Sequence, residues 1–422
     1  MRGRGSRRWA ETTRSGKETS PPQAASFCGG EGTPPWSAGH CSLLLVKRFD
    51  AIVVGGGPAG SMTGYRLADA GASVLLLDKA RFPRDKPCGG GLTMRAVHHL
   101  PVDVTPVVEE WIDVVELRFR YGDTVVRRSP RPFVWMTQRR RLDAFLLDAA
   151  RERGVEVHDG VAVKVEPGNV VGLGTGERFV ADVLVGADGA NGTTGRAVGL
   201  GEGILNGVAY EGNVSYPTIS RERYARRVVI ELADIPGGYG WVFPKGDHAN
   251  VGVGCWQEEG PRIREHLRRV CEAHGLDPAA LEGLRGHRLP LRMPGTRIAG
   301  ERALVVGDAA GLLDPVSGDG MYECFYSARL ATDAILDLLA GRATTLEPYE
   351  LAVDAALAPL HRASWKLKKA LDLWPRASWR VARTALFWRS IEGLLQGELA
   401  HPGEQRGLAR VPMRALAILG RS

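Results

Sequence analysis

Three groups of residues in this 422-residue chain have types and spacings that suit chemistry. The first is Gly55-x-Gly57-x-x-Gly60, directly after the apolar run Ala51 to Val54, with Pro58 and Ala59 inside it. Glycines at this spacing allow a tight turn, close approach of the backbone to a diphosphate, and close strand–helix packing. Free N–H groups at the start of the following helix then hold the anion. Pro58 suits that first turn, where its fixed φ fits and its missing N–H costs nothing. Asp78, followed by Lys79, ends the next apolar run 18 residues after Gly60. An acid there accepts hydrogen bonds from adenosine ribose hydroxyls.

The second group is Asp188-Gly189 and Gly307-Asp308, each at the end of an apolar run. Acids delivered to the C-terminal ends of strands fit the crevice of a doubly wound sheet. The third is Pro236-Gly-Gly-Tyr239-Gly-Trp241-Val-Phe243-Pro244, where alternation puts three aromatic rings on one face of one strand. Spacing alone leaves a ligand wall and an ordinary core face equally open. Cys88 sits in Lys86-Pro-Cys-Gly-Gly-Gly91, a loop that would face a cofactor, and Arg139 is spaced to reach back to it. Arg140 and Arg141 read equally well as solvent-facing neighbours of Arg139.

The elements that must position these groups follow from periodicity. Strand, helix to about Ala70, and strand to Asp78 make the opening unit, and a second helix runs from Leu142 to about Arg153. A long helix begins near Met321 and aims its positive dipole end at the crevice. Residues 203–295 alternate in short strands separated by turns, which reads as an inserted antiparallel sheet. The expected architecture is α/β with an α+β insert. A Rossmann-like nucleotide domain spans 46–202 and 296–345, a β substrate domain 203–295, and a helical region 346–422. Residues 1–45, rich in Arg, Gly, Ser and Pro, have no apolar period and read as a dispensable basic extension.

Charge and cysteine usage narrow the class. The net charge of +7 is uneven: residues 1–49 carry +5 and residues 361–422 carry +8, leaving −6 between them. A basic nucleic-acid face on the folded core is therefore not expected. Six dispersed cysteines without a CxxC pair argue against a metal site or a disulfide framework and for a reducing, cytoplasmic setting. No run approaches the ~18–20 apolar residues of a membrane span. Trp365, Trp374, Trp379 and Trp388 lie among Lys and Arg in the tail, a composition of interfacial helices that suggests peripheral contact with the inner membrane face. The competing reading is a helical cap with a basic outer face.

Taken together, the glycine fingerprint, Asp188-Gly189 and Gly307-Asp308 resemble the FAD-dependent hydroxylase-like superfamily. Lys86-Pro-Cys-Gly-Gly-Gly91, the Pro236-to-Pro244 pattern and Gly307-Asp-Ala-Ala-Gly311 are similar to the geranylgeranyl reductase family over roughly residues 47–360. The resemblance implies bound FAD and reduction of double bonds in the isoprenoid chain of a lipid or quinone, with NAD(P)H as a transient donor. It further implies that Gly55, Gly57 and Gly60 hold the pyrophosphate and Asp78 the ribose. Asp308 would bond the ribityl hydroxyls, Gly311 and Gly320 would line the flavin edge, and Asp188 would support the crevice. Cys88 and Tyr239 would supply or relay a proton, while Tyr239, Trp241 and Phe243 line the prenyl tunnel. Asp314 stands where relatives often have Asn before Pro. Two other classes fit the superfamily elements: a flavin monooxygenase acting on an aromatic or polyketide-like ring, and a membrane-associated electron-transfer flavoprotein. No iron–sulfur cysteine spacing supports the last.

Overall fold

The computed structural model describes residues 47–420; the expectation for residues 1–45 lies outside them. Lys47–Val54 is the central strand of a seven-stranded sheet. It pairs in parallel with Val74–Asp78 on one side and Arg178–Gly186 on the other. Glu156–Asp159 and Ala303–Val305 extend the parallel part outward, and Val163–Glu166 and Val170–Leu173 add an antiparallel edge. The central strand is apolar throughout its C-terminal half because both faces are covered. Ala51 and Val53 pack under the helices, while Ile52 and Val54 pack with Leu75, Leu77 and Leu184 on the other face. Helix Pro58–Asp69 lies between helices Arg139–Glu152 and Met321–Leu339. Arg139 is thus the first residue of its helix, three positions before the start expected from the apolar spacing.

A second seven-stranded sheet runs in the order Glu282–Leu291, Leu205–Ser215, His248–Trp256, Tyr239–Pro244, Arg227–Leu232, Val114–Phe119, Asp123–Arg128. Its last two strands come from a segment that sequence reading placed with the nucleotide domain. The junction between Arg227–Leu232 and Val114–Phe119 is parallel, the other pairings antiparallel. Alternation within Val114–Phe119 was visible in the sequence, but its partner strand lies more than a hundred residues away. A small three-stranded sheet, Gly91–Thr93, Val134–Met136 and Glu110–Ile112, bridges the two parts.

The C-terminal helices Glu347–Leu373, Pro375–Ala382, Ala385–Gln396 and Arg410–Leu419 fold back over the second sheet. Trp379 stacks on Phe119 at 5.4 Å and donates from Nε1 to Asp123 at 2.7 Å. Trp388 meets Phe133 edge-on at 5.5 Å, and Trp365 stacks on Trp256 at 5.9 Å. Trp374 is exposed. Buried Lys368 donates to the Gly237 carbonyl and sits 4.4 Å over the Trp256 ring. Much of the tail's tryptophan and part of its charge therefore fasten helices to the sheet. Among the described residues, no helix is long and apolar enough to cross a membrane.

Candidate active site

The glycine turn between the central strand and helix Pro58–Asp69 is shaped for a diphosphate. A Cβ on Gly60 would lie 1.9 Å from the Gly55 carbonyl oxygen, so only glycine lets strand and helix close this far. Gly57 caps the helix without a side-chain bond, and only Arg84 Nη2, at 3.6 Å, would approach a Cβ there. The helix-start N–H groups are thus left for an anion. Asp78 accepts from Gly56 N–H and Ala80 N–H, both at 2.7 Å, which ties the end of the second strand to this turn. These features fit an FAD diphosphate and ribose.

Beyond the turn opens a cavity of about 440 Å³. It brings together Pro58, Cys88, Arg139, Asp308, Gly320 and the aromatic strand, elements spread across more than 250 positions of sequence. Gly55, Gly57, Ala59, Gly60 and Asp78 stay outside its lining, at the turn. Lys79 is exposed and does not line it. Asp188 backs the site: its Oδ2 accepts from Thr193 N–H, Thr194 N–H and the Thr194 hydroxyl, at 2.7–2.9 Å. Gly307 packs against Ala59 and Cys324. Gly311 packs on Arg292, whose N–H donates to its carbonyl at 2.6 Å, so it too stands behind the cavity wall.

Asp308 is ion-paired with Lys86 at 3.0 Å, and His287 Nε2 lies 3.9 Å away. Burial alone would raise its pKa, but the Lys86 charge, with His287 beside it, holds it well below the usual carboxylate range. Arg139 is buried and makes two bonds to Asp143, at 2.6 and 2.7 Å, with Arg84 3.0 Å from the same carboxylate. Burial opposes its charge, yet Asp143 raises the Arg139 pKa above its ordinary value. Asp314 does not line the cavity. Its Oδ1 caps the loop through Val316 N–H at 3.1 Å and Ser317 N–H at 2.8 Å, and Ser364 donates to its Oδ2.

The Cys88 loop is clamped by two buried ionisable groups that motif reading had missed. Glu211 Oε1 accepts from Cys88 N–H at 2.6 Å, and Lys245 Nζ donates to the Cys88 carbonyl at 3.3 Å. Desolvation pushes the Glu211 carboxyl up and the Lys245 ammonium down. Gly90, at φ +78°, would put a Cβ 2.5 Å from Lys245 Nζ, so the loop needs glycine there. Across the cavity, Tyr239 and Trp241 rings lie 5.9 Å apart and Trp241 and Phe243 6.1 Å apart, all three in the lining. Trp241 Nε1 donates to buried Asn250 at 2.7 Å, which fixes the indole plane. Tyr239 donates to the Ser317 carbonyl, and burial pushes its phenol pKa up, so it stays protonated at neutral pH.

The cavity has a second, apolar arm. Val115, Leu117 and Ile230 of the sheet face Phe387, Trp388 and Ile391 of the Ala385–Gln396 helix. Of the three helix positions, the tail sequence marks only Trp388, by composition; helical periodicity is the only signal for Phe387 and Ile391.

An FAD binding domain family matches residues 48–349. A chloroplastic geranylgeranyl diphosphate reductase of Oryza sativa subsp. japonica is 29% identical over 357 residues, covering 79% of this chain and 76% of that protein. A menaquinone reductase of Mycolicibacterium smegmatis is 31% identical over 323 residues, covering 68% and 76%. A solved geranylgeranyl bacteriochlorophyll reductase-like protein from Thermoplasma acidophilum shares the fold at TM-score 0.68 and 19% identity, covering 89% of this chain and 96% of that one. With the glycine turn, the Cys88 loop and the aromatic strand converging on one cavity, the chain belongs to the geranylgeranyl reductase family of FAD-dependent oxidoreductases.

Proposed function

We propose that this protein saturates carbon–carbon double bonds in the isoprenoid chain of a lipid or quinone. The observation that carries the reading is one cavity joining a flavin-type polar end to an aromatic wall and an apolar arm. Bound FAD supplies hydride from its reduced ring. The Gly57, Ala59 and Gly60 amides hold the diphosphate, Asp78 the ribose and Asp308 the ribityl hydroxyls. Lys86, already paired with Asp308, and Arg139 add positive charge at that end.

An isolated trisubstituted alkene has no carbonyl to polarise, so the chain's own residues must help it accept hydride. Positive charge developing at the tertiary carbon is stabilised by the Trp241 and Phe243 ring faces. Cys88 or Tyr239 donates or relays the proton that completes the addition. The apolar arm holds the chain itself, each buried CH₂ contributing about 0.8 kcal/mol. NAD(P)H would bind only transiently as electron donor, since the sequence carries one dinucleotide fingerprint and FAD would take it. Leu373, Trp374, Leu408, Val411 and Ile418 are exposed beside Arg376, Arg410 and Arg414, and this outer face of the tail rests on the cytoplasmic membrane surface that holds the substrate.

The test is anaerobic. Flavin reduced with dithionite is mixed with geranylgeranyl or menaquinone lipids, and reoxidation is followed together with product mass. The expected result is reoxidation without oxygen and a product heavier by two hydrogens per bond. Flavin that stays reduced until oxygen enters, then yields an oxygenated product, overturns the reading in favour of a monooxygenase.

A further inference from the structure

Saturating a double bond consumes one proton per hydride, and the cavity that would host the reaction is largely apolar. Protons therefore need a way in. On one side of the cavity, Asp319 lines the wall, with its Oδ1 accepting from Met321 N–H at 2.9 Å. In the first turn of the Met321–Leu339 helix lies Glu323, fully buried, and neither carboxylate oxygen has a hydrogen-bond partner. Arg95 Nη2 stands between the two acids, 3.7 Å from Asp319 and 4.0 Å from Glu323. His361, from the Glu347–Leu373 helix, places Nε2 3.7 Å from Glu323, and its side chain is 15% exposed. That nitrogen, too, has no hydrogen-bond partner.

A carboxylate that served only to offset the helix dipole would bond to the free amides of the first turn. Glu323 instead points toward His361 and Arg95. The charged and titratable groups facing this cluster include Arg95 from the short Met94–Val97 helix, Asp314 and Asp319 from the preceding loop, Tyr322 and Cys324 on either side of Glu323, and His361. Burial and the Asp319 charge push the Glu323 carboxyl up to about 7, against the pull of His361 and Arg95. Asp319 is also raised by burial, whereas Asp314, although desolvated, is held below its usual range by His361 and the Ser317 and Ser364 bonds. Asp314 thus keeps its charge while Glu323 exchanges a proton near neutrality.

We propose that His361, Glu323 and Asp319 form a proton-entry route from the flank of the Glu347–Leu373 helix to the cavity. The proposal rests on the reductase reading for the proton's use. No electrons move along the route. When the cavity donor gives up its proton, Asp319 O–H replaces it, Glu323 O–H reprotonates Asp319 by way of a water beside Arg95 Nη2, and His361 Nε2–H reprotonates Glu323. His361 then takes one proton from solvent. Glu323 and His361 act through Asp319 and are relay groups, not catalytic residues.

The test uses the FAD-loaded protein and two readouts. By infrared spectroscopy, the protonated-carboxyl stretch of Glu323 titrates near neutral pH and is missing in Glu323→Gln. After a pH jump, His361→Gln slows the arrival of the proton at Glu323 about tenfold or more, in keeping with the loss of a positioned proton-transfer group. In anaerobic single turnovers with a geranylgeranyl lipid, Glu323→Gln slows the rate about tenfold or more and removes the rate decline above about pH 7. A missing wild-type band, an unchanged arrival rate in His361→Gln, or wild-type turnover and pH profile in Glu323→Gln would each overturn the route. If band and arrival rate behave as expected but no isoprenoid is reduced, the route stands and the reductase reading falls.

Discussion

The two ends of the cavity are built on opposite principles. At the polar end, short loops at strand ends bring single residues into fixed contacts: Lys86 on Asp308 at 3.0 Å, Glu211 on the Cys88 amide at 2.6 Å, Arg139 on Asp143. At the apolar end, a sheet face and a helical cap enclose space with interchangeable aliphatic and aromatic surface. One end is specified atom by atom and the other by area. Substitutions at the polar end should therefore act on ligand and protons, and substitutions at the apolar end on stability and chain fit.

The contrast breaks first at the glycine turn. Gly60→Val would force a side chain into a position 1.9 Å from the Gly55 carbonyl. Flavin affinity should fall at least about a thousandfold, or ~4 kcal/mol, read as flavin per chain after purification and by fluorescence titration. A variant that keeps stoichiometric flavin would show that this turn does not carry the diphosphate. The next effect belongs to the far end. Leu416, 1% exposed, packs from the last helix against Ala370 and Trp379. Leu416→Ala should cost about 3 kcal/mol of unfolding free energy, measured by denaturant titration, with flavin content unchanged. Loss of flavin in step with stability would mean that the two ends do not separate.

A third effect separates the ends by pH. Glu323 binds its proton more tightly in the folded state, at about 7 against its usual 4.5. Its contribution is fully present below the lower value and is lost as pH rises to the upper one. Across that window stability should fall by about 1.4 kcal/mol per pH unit from this group. The wild-type minus Glu323→Gln difference in unfolding free energy isolates it, and a flat difference would show that Glu323 is ionised throughout. Leu416→Ala should leave the slope intact.

The difference between the ends also explains what was legible. The α/β architecture, the helix beginning at Met321 and the glycine turn follow from local spacing, because turn geometry and helix starts are set within a few residues. The convergence of Cys88 with Glu211 and Lys245, or of Glu323 with His361, depends on contacts between segments 38 to 157 positions apart, which no local pattern encodes. The tail was legible as helix but ambiguous in its facing. Trp379 and Trp388 share a composition with interfacial helices, yet they turn inward because Phe119 and Phe133 offer ring partners on the sheet. A tryptophan next to arginine satisfies an interface or a core rim equally well, and only the partner decides.

That ambiguity leads to the smallest expected effect, on the outer face of the same cap. Leu408, Val411 and Ile418 are 75%, 57% and 62% exposed, with Arg410 and Arg414 between them. Their side chains make little of the core, so replacing all three with serine should change unfolding free energy by no more than about 0.5 kcal/mol per site. If this face meets lipid, the same change removes apolar insertion while leaving the basic charges. Sedimentation with anionic vesicles should then fall about tenfold, ~1.4 kcal/mol, and turnover on detergent-dispersed substrate should be unaffected. Reversing charge at Arg410 and Arg414 should weaken vesicle binding more at low salt than at high salt, since exposed charges are screened within about 8–10 Å. Vesicle binding that ignores both changes would make the outer face an ordinary basic cap, and substrate would then have to reach the apolar arm from another side.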